Sequence, residues 1–295
     1  MSEEAIYIPD QEPIDNLRIA KDLFAGTISG IAQVLVGQPF DTIKVRLASD
    51  TTGQYKDTTD AVKQLISKEG PFAFYKGTLT PLIGVGACVS LQFAANEYMK
   101  RVVFAGRTDL SNSQFYASGA VAGFTNTFLA TPIEHIRTRL QTQIKGNLGP
   151  LDMIKSIYKQ GGVGLLNRGF FPCAIRESHG LGVYFMTFEY LVKRDQQTNY
   201  IQRKEIPGLR LCLYGALSGY CMWLTAYPID YVKSRLQTDS LNNPKYKTSL
   251  DVIRDTLKTS GVKGFFRGFV PTILRAGPAN AATFYAFELT MRAIN

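Results

Sequence analysis

A motif of eight residues occurs three times in this chain, at nearly equal intervals. It reads PFDTIKVR from Pro39, PIEHIRTR from Pro132 and PIDYVKSR from Pro228, so the copies begin 93 and 96 residues apart. In each copy an acid lies two residues after the proline, and bases lie five and seven residues after it. Because a long internal repeat decides the architecture of the whole chain, we interpret the sequence as three copies of one unit.

Other features keep the same register. A glycine pair of GxxxG type begins 13 residues before each proline, and a later glycine follows the segments EGPFAFYK, GGVGLLNR and SGVKGFFR. An acid lies 20 residues beyond that later glycine, with a base four residues after the acid. The pairs are Gly26/Gly30, Gly119/Gly123 and Gly215/Gly219, and the later glycines are Gly77, Gly169 and Gly268. We place the repeats at 18–110, 111–206 and 207–295 of one structural domain, after an acidic tail at 1–17.

Each repeat is predicted to contain two long, weakly polar helices around a short amphipathic one. The long segments have the roughly 20 residues that a membrane span needs, and their small residues suit close helix packing in a bilayer. A helix that lines a watery cavity needs only one lipid-facing side, which accounts for the mean hydropathy of −0.05. We therefore predict an all-α membrane protein with six transmembrane helices in three tandem repeats related by pseudo-threefold symmetry. A soluble helical scaffold is disfavoured, because such repeats have periods of roughly 20 to 50 residues.

The composition argues against several classes of function. The net charge of +9 is spread along the chain in small groups, which favours an anionic membrane or anionic solutes over nucleic acid. Four cysteines without a CxxC pair, and only two histidines, argue against a zinc site, so we predict no metal and no cofactor. His135 and His179 have no nucleophile at a recognisable spacing, so the protein is not expected to be an enzyme.

The repeated charges are predicted to meet on the threefold axis. The acid of one copy can face the base of its neighbour, and the motif prolines, Pro39, Pro132 and Pro228, kink the helices towards the axis. Buried pairs are costly to leave unpaired but can exchange partners, so the ring makes a gate. The predicted gate residues are Asp41, Lys44, Glu134, Arg137, Asp230 and Lys233. A second ring at the opposite mouth is predicted from Glu97, Arg101, Glu189, Lys193, Glu288 and Arg292. Two rings that are never open together give alternating access.

The pattern Pro-x-[Asp/Glu]-x-x-[Lys/Arg]-x-[Lys/Arg], present three times with a later aromatic-[Lys/Arg]-Gly segment, resembles the mitochondrial carrier family. The resemblance covers essentially the whole chain beyond about residue 18. It implies a multi-pass protein of the mitochondrial inner membrane without a cleaved presequence, which agrees with the acidic N-terminus. It also implies that the proline-linked ring and the three short helices face the matrix and that the second ring faces the cytoplasm. The expected form is a monomer that exchanges solutes across the membrane.

The sequence departs from the family pattern at several positions. The family has an acid where the later segment begins, and this chain has Glu69 there in the first repeat but Gly161 and Ser260 in the others. The aromatic position holds Asn167 in the second repeat. The family's cytoplasmic base lies three residues after the acid, where only Lys100 matches. The predicted cytoplasmic ring therefore departs further from the family than the matrix ring does.

The resemblance also assigns residues that support the gate and bind lipid. Family members often have a glutamine two residues after the last base of the motif, which braces the matrix gate. Gln141 and Gln237 match this glutamine and Ala48 does not, so at most two braces are expected. Free backbone N–H groups at the start of a helix attract phosphate, and the alternative for such a segment is a simple turn. The implied cardiolipin sites lie at Gly77, Gly169 and Gly268.

The substrate site is predicted from positions that are equivalent in the three repeats. Thirteen residues before each acid of the mouth, the repeats carry Gly84, Arg176 and Arg275. An arginine at mid-membrane is a functional residue by default. Arg176 is followed by Glu177, a pair that resembles the carriers of amino acids and of carnitine. The two arginines can hold a carboxylate and Glu177 an ammonium group, which together describe a zwitterionic amino acid.

The third side of the cavity narrows the choice of amino acid. It is formed around Gly84, Cys88 and Gln92, which offer no acid for a second ammonium group. A small neutral or acidic amino acid is therefore favoured over a basic one. Within the family, the strings GQPFDT and YPIDYVKSRLQ are most similar to fungal carriers of the amino-acid branch.

Two alternatives remain open at this point. Arg176 and Glu177 can pair only with other residues of the helices, without touching a substrate. The protein can also be a carnitine/acylcarnitine carrier, with a carboxylate carrier ranked below it. Trp223 lies five residues before the third proline, as in carnitine carriers, whereas Gln38 stands where many members of that branch have histidine.

Overall fold

The computed structural model of the chain describes residues 16–50, 53–104, 110–143 and 148–294, and these ranges contain helices and no strand. Repeat 1 forms α1 (Asn16–Ser49), α2 (Thr58–Glu69) and α3 (Leu79–Tyr98), and repeat 2 forms α4 (Asn112–Thr142), α5 (Pro150–Leu166) and α6 (Phe170–Asn199). Repeat 3 forms α7 (Gly208–Thr238), α8 (Ser249–Ser260) and α9 (Phe269–Ile294). The predicted order of long, short and long helix is confirmed in all three repeats. The tail at 1–15 lies outside the described residues.

The short helices begin at recognisable caps. The Asp57 side chain accepts a hydrogen bond from the Asp60 backbone N–H at 2.8 Å and so caps α2. Thr248 and Asp251 form a capping box at the start of α8. Such caps satisfy N–H groups that have no partner within the helix. α5 instead begins with Pro150 and contains a break at Gly161 and Gly162, where the backbone leaves helical geometry.

Six long helices surround a central space. The larger contacts are those of α4 with α6, α6 with α7, α3 with α4 and α1 with α9. The contacts of α1 with α3 and of α7 with α9 are smaller. The contact of α1 with α9 joins the first repeat to the last, so the six long helices form a closed ring. At one end of this ring the short helices pack on the first long helix of their own repeat. Ile43 of α1 shares a hydrophobic cluster with Leu65 of α2. Ile136 of α4 shares a second cluster with Ile157 of α5, and Tyr231 of α7 shares a third with Val252 of α8.

The three glycine pairs, predicted to bring helices close together, behave differently. A Cβ built on Gly123 would lie 2.2 Å from the Glu177 carbonyl oxygen, and one on Gly119 would lie 2.4 Å from the Leu181 carbonyl oxygen. The backbones of α4 and α6 therefore touch where these side chains are missing. Among the described residues, a Cβ on Gly26, Gly30 or Gly219 would meet nothing within 4 Å, and one on Gly215 would meet only the Tyr184 hydroxyl oxygen. The expectation is thus met in repeat 2 and wrong for repeats 1 and 3.

The motif prolines lie within helices. Pro39 is inside α1, Pro132 inside α4 and Pro228 inside α7, and each helix continues beyond its proline to the charged residues of the motif. The predicted kink of these helices towards the axis at the motif prolines stays a prediction. Among the described residues, no single helix has both the length and the hydropathy of a membrane span. One pair of helical pieces, Pro71–Gly84 and Gly86–Asn96, meets that test jointly across a bend of 43°.

Candidate functional site

The charges of the repeated motif lie together in the centre of the helix ring. Each base is paired with the acid of another repeat, so the three pairs link all three repeats. They are Lys44–Asp230 at 2.7 Å, Arg137–Asp41 at 2.7 Å and Lys233–Glu134 at 2.8 Å. These side chains line a cavity of about 250 Å³. The arrangement is a closed ring of ion pairs across the end of the central space that is nearest the short helices.

The residues before the motif prolines secure this ring from outside. Gln38 is fully buried, accepts a hydrogen bond from Arg137 at 2.7 Å and donates one to the Lys76 carbonyl oxygen at 2.9 Å. Tyr227, at the equivalent position of repeat 3, donates to the Arg267 carbonyl oxygen at 2.9 Å. Sequence analysis considered Gln38 only as a replacement for histidine and missed this contact. Its position directly before the first motif proline was the available signal.

Arg176 lies within the ring of charges and bonds to two of its neighbours. Its Nη2 is 2.9 Å from Glu134 Oε1 and also contacts the Glu177 carboxylate. Its Nε is 3.6 Å from Asp230. Asn126 of α4 donates a hydrogen bond to Glu177 at 3.2 Å. The described contacts of the predicted arginine–glutamate pair are therefore made to residues of the protein, as in the first alternative of the sequence analysis.

Arg275, at the equivalent position of repeat 3, is held much less firmly. Its Nε lies 3.5 Å from Asp41 Oδ1 and has no hydrogen-bond partner among the described residues. The Arg275 side chain packs against α1 at Gly37. A Cβ built on Gly37 would lie 2.7 Å from the Arg275 Nε. It lines both the central cavity and an adjoining cavity of about 760 Å³, which Trp223 also lines. Of the two predicted arginines, Arg275 is the one with an open side.

The central cluster carries an unequal number of charges. Its described side chains are four carboxylates and five cations. The carboxylates are Asp41, Glu134, Glu177 and Asp230, and the cations are Lys44, Arg137, Arg176, Lys233 and Arg275. With each carboxylate ionised, one positive charge is left over, and Arg275 is the cation at the edge of the cluster.

The remaining residues of the predicted substrate site lie on α3. Gly84 is buried against α4, and a Cβ there would lie 2.7 Å from Ile133 Cδ1. Cys88 and Gln92 are half-buried, about one and two turns further along the helix. The structure therefore places Gly84 in the contact between two helices, where its small size lets α3 approach α4.

The two predicted brace glutamines make their described hydrogen bonds outside the three ion pairs, although Gln141 also lines the central cavity. The Gln141 side chain donates to the Thr42 hydroxyl at 3.5 Å, and that of Gln237 donates to the Arg168 carbonyl oxygen at 3.3 Å. Both side chains are buried and lie between repeats. In this structure they connect the motif helix of one repeat to the preceding repeat, and their predicted role as braces stays a prediction.

A further set of contacts, here named the peripheral contacts, joins the repeats outside the central ring. In each, the base that precedes the later glycine binds the position 11 residues after the motif proline of the next repeat. The three peripheral contacts are Arg267–Asp50 (2.7 Å), Arg168–Asp239 (2.8 Å) and Lys76 with the Gln143 carbonyl oxygen (2.8 Å). The partners of these bases were not predicted from the sequence, although their constant spacing from the motif prolines was visible there.

The later glycines lie where long helices begin, as predicted. Gly77, Gly169 and Gly268 have positive φ angles of 79°, 84° and 88°, which favour glycine. Each packs against the motif helix of the next repeat, and a Cβ on Gly268 would lie 2.9 Å from the Lys44 carbonyl oxygen. An apolar cavity of about 750 Å³ extends from Gly169 to the start of α8. This cavity has a helix N-terminus at each side and is large enough to receive acyl chains.

The predicted ring at the opposite mouth is described only in part. The side chains of Glu97, Lys100, Arg101 and Glu288 lie outside the described residues. Glu189 binds Arg203, in the segment after α6, at 2.7 Å. Lys193 donates to the Leu110 carbonyl oxygen at 2.6 Å, and Arg292 is exposed. The cytoplasmic gate therefore stays a prediction.

One group of side chains has the spacing of a metal site. Ligand atoms of Glu134, Cys173 and Glu177 lie within 4.8 Å of one another. Both carboxylates, however, are engaged by Arg176, and Glu134 also by Lys233. Two cations bound to the same carboxylates oppose the approach of a metal ion by charge repulsion.

Comparison with known proteins agrees with this architecture. The family model described as mitochondrial carrier protein matches residues 15–106, 108–198 and 204–295. The mitochondrial glycine transporter YMC1 of Saccharomyces cerevisiae is 50% identical over 289 residues, which cover 94% of this chain and 92% of the relative. The glutamate/glycine mitochondrial carrier ymc1 of Schizosaccharomyces pombe is 48% identical, with 91% and 92% covered. The carrier protein YMC2 of S. cerevisiae is 49% identical, with 96% and 91% covered. Three matched repeats and relatives of this identity make the chain a member of the mitochondrial carrier family.

Proposed function

We propose that this carrier exchanges small amino acids, with glycine and glutamate the best candidates, across the mitochondrial inner membrane by alternating access. The observation that carries the proposal is the position of Arg275 at the edge of a cluster with one excess positive charge, with the adjoining cavity on its other side. A substrate carboxylate bound there supplies the missing negative charge. The printed names of the S. cerevisiae and S. pombe relatives, which include glycine and glutamate, support the same substrates.

The ring of three ion pairs supports a role as the matrix gate. Three of its six side chains are buried and the other three are half-buried. Each pair links two repeats, so the repeats cannot separate at this end while the pairs are intact. Removing one partner from a buried pair costs about 3–5 kcal/mol. Binding of a charged substrate beside the ring can offset part of this cost by offering the charges new partners. Substrate binding and opening are thereby coupled.

Arg176 and Arg275 have different roles in this proposal. Arg176 is held by Glu134 and Glu177 and belongs to the gate as much as to the substrate site. Arg275 binds the substrate carboxylate, and Glu177 faces the substrate ammonium group. Among the described residues of α3, Gly84, Cys88 and Gln92 supply no acid for a second ammonium group, which disfavours basic amino acids.

The membrane setting completes the proposal. The long helices span the inner membrane, the short helices lie on the matrix side, and the protein works as a monomer. Cardiolipin binds where the later glycines begin the long helices, with its acyl chains in the apolar cavity beside Gly169.

Acylcarnitine is the second candidate substrate because Trp223 lines the cavity next to Arg275. A tryptophan face can bind a quaternary ammonium group. In this structure, however, Lys44 Nζ lies 4.3 Å from the centre of that ring. The face is thus already used by a cation of the gate, which ranks this candidate below amino acids.

The test is exchange into liposomes that contain the purified protein. The vesicles are preloaded with glycine, glutamate, lysine, carnitine, a dicarboxylate or a nucleotide, and uptake of labelled glycine or glutamate is followed. Glycine and glutamate should exchange, and Arg275→Gln should abolish this exchange while Arg254→Gln, on the exposed side of α8, leaves it unchanged. Exchange of carnitine, dicarboxylates or nucleotides alone contradicts the proposed substrates.

A further inference from the structure

Among the described glycines, Gly123 leaves the least room for a side chain, and it lies beside Glu177. Gly123 of α4 lies directly against the Glu177 carbonyl oxygen of α6, where a Cβ would be only 2.2 Å away. Asn126 follows Gly123 by three residues and therefore stands on the same face of α4, one turn further along. This packing brings the Asn126 amide within 3.2 Å of the Glu177 carboxylate.

Only half of the Asn126 amide is satisfied. The Nδ2 group donates its hydrogen bond to Glu177 Oε2, while Oδ1 is buried without a partner among the described residues. The side chain as a whole is only 3% exposed. Buried polar atoms in proteins nearly always have a partner, so an exception calls for an explanation.

The asparagine is specific to repeat 2, and repeat 3 has no amide at the equivalent position. Six residues before the motif proline, where repeat 2 has Asn126, repeat 1 has Gln33 and repeat 3 has Met222. Symmetry of the repeats therefore does not require an amide at this level of the ring. The one amide that touches Glu177 is found beside the one acid of the predicted substrate site.

We infer that Asn126 is a specificity-determining residue, whose Oδ1 accepts a hydrogen bond from the ammonium group of the substrate while its Nδ2 holds Glu177 in place. The inference rests on the proposed function and names the group that recognises the amino nitrogen. An ammonium group has three N–H donors and needs acceptors close together. Oδ1 and Nδ2 share one carbon atom, so Oδ1 is adjacent to the carboxylate oxygen that Nδ2 binds. An ammonium group placed there meets the amide oxygen and the carboxylate of Glu177 at once.

This arrangement selects against carboxylates that lack an amino group. Such a solute can bind Arg275, but it leaves Oδ1 without a partner as before. A site built to bind an N–H group rejects analogues without it, because its own buried polar atoms stay unpaired. Glutamate and glutarate form a suitable pair of probes, because they differ only in the α-amino group.

The experiment compares exchange of glutamate and of glutarate by the full-length carrier in liposomes, as the ratio of the two kcat/KM values. Asn126→Leu removes both polar atoms while keeping the branching of the side chain, and it should lower the ratio at least tenfold. Asn126→Asp keeps an acceptor at the same place and should retain the ratio. The new carboxyl group, at 3.2 Å from the Glu177 carboxylate, shares a proton with that carboxylate. The aspartate therefore also replaces Nδ2 as a hydrogen-bond donor to Glu177. Asn112→Leu, the same substitution at an exposed position at the start of α4, is the matched control and should change neither kcat/KM.

Each outcome has a defined meaning. An unchanged ratio in Asn126→Leu overturns the inference, and so does a loss of selectivity in both the Leu and the Asp variant, because Oδ1 is then not the acceptor. If Asn126→Leu does not fold, as judged from its thermal unfolding in detergent, Asn126→Ala takes its place. A wild-type carrier that exchanges neither glycine nor glutamate contradicts the proposed function itself. Normal exchange by the wild type with an unchanged ratio in the variant contradicts only the role of Asn126.

Discussion

The Arg267 guanidinium of repeat 3 lies 2.7 Å from the carboxylate of Asp50 in repeat 1. The contact spans 217 residues of sequence and closes the ring of repeats outside the central ion pairs. The corresponding contact between repeats 1 and 2 is different, because Lys76 binds the backbone carbonyl oxygen of Gln143 instead of a side chain. The peripheral contacts therefore depend on a carboxylate at two interfaces and on the backbone at the third.

This difference predicts unequal effects of two similar substitutions. Asp50→Asn removes the charge that Arg267 binds, and a hydrogen bond to a charged group contributes about 1.5–3 kcal/mol. We expect the midpoint of thermal unfolding in detergent to fall by about 4–8 °C, since about 1 kcal/mol shifts it by 2–4 °C in proteins of this size class. Gln143→Ala, which keeps the carbonyl oxygen, should leave the midpoint unchanged. Equal shifts in both variants would mean that Asp50 acts through something other than its charge.

The central ring predicts that swapping the acid and the base of one ion pair restores the exchange activity that either single substitution abolishes. Arg137→Asp and Asp41→Arg, made singly, each place like charges in a buried pair that is now 2.7 Å apart, and both should abolish exchange in liposomes. The double variant rebuilds an ion pair in the opposite sense and should recover measurable exchange. Lys245→Ala, which breaks an exposed pair with Asp255, should cost less than about 1 kcal/mol. A double variant as inactive as the single ones contradicts a pairing role for these two residues.

The contact of α4 with α6 predicts that two glycines of the same motif differ in importance. A methyl group on Gly123 would overlap the Glu177 carbonyl oxygen, whereas one on Gly30 meets nothing within 4 Å. Gly123→Ala should separate the helices, lower the unfolding midpoint and stop exchange, since overpacking costs about 1–3 kcal/mol. Gly30→Ala should leave both unchanged or raise the midpoint slightly, because alanine is the better helix former. Unfolding in detergent and initial exchange rates measure the two effects, and tolerance of Gly123→Ala contradicts the close contact.

Glu69, at the end of α2, predicts a dependence of stability on pH. Burial raises the pKa of Glu69, but hydrogen bonds from Arg46 and Lys76 outweigh this and lower the pKa below its ordinary value. A carboxyl group with a lowered folded-state pKa stabilises the fold above its unfolded pKa of about 4.3. This contribution is lost as the pH falls through the folded-state value. The unfolding midpoint of Glu69→Gln should therefore lie below that of the wild type at pH 6 to 7, and the gap should close below about pH 4. A gap that is the same at every pH argues against this origin.

The sequence was sufficient for the features that follow from repetition. Three helices with the same spacing of acid and base, related by a threefold rotation, leave Asp41, Glu134 and Asp230 facing the bases of their neighbours. The repeat also predicted that long helices begin at the later glycines. Glycine adopts a positive φ angle without steric cost, so this feature depends on the local sequence alone.

Features that depend on how one helix is rotated against another could not be predicted from the sequence. The GxxxG pairs look alike in all three repeats, but only Gly119 and Gly123 face a backbone close enough to need them. Arg176 could be predicted as functional, but its engagement by Glu134 depends on the orientation of α6. The hydrogen-bond partners of Gln141 and Gln237 likewise follow from the space between neighbouring repeats and not from the spacing of these residues along the chain.

The excess positive charge of the central cluster has a consequence for the energetics of transport. With glutamate bound, four carboxylates and one net negative substrate balance the five cations, so the loaded site is electrically neutral. With glycine, whose own charges cancel, the site keeps one positive charge. On the proposed function, the electrical potential across the inner membrane then acts on the carrier when it moves with glycine and has no effect on it when it moves with glutamate. The membrane voltage would thus act together with the concentrations in setting the direction in which the two amino acids are exchanged.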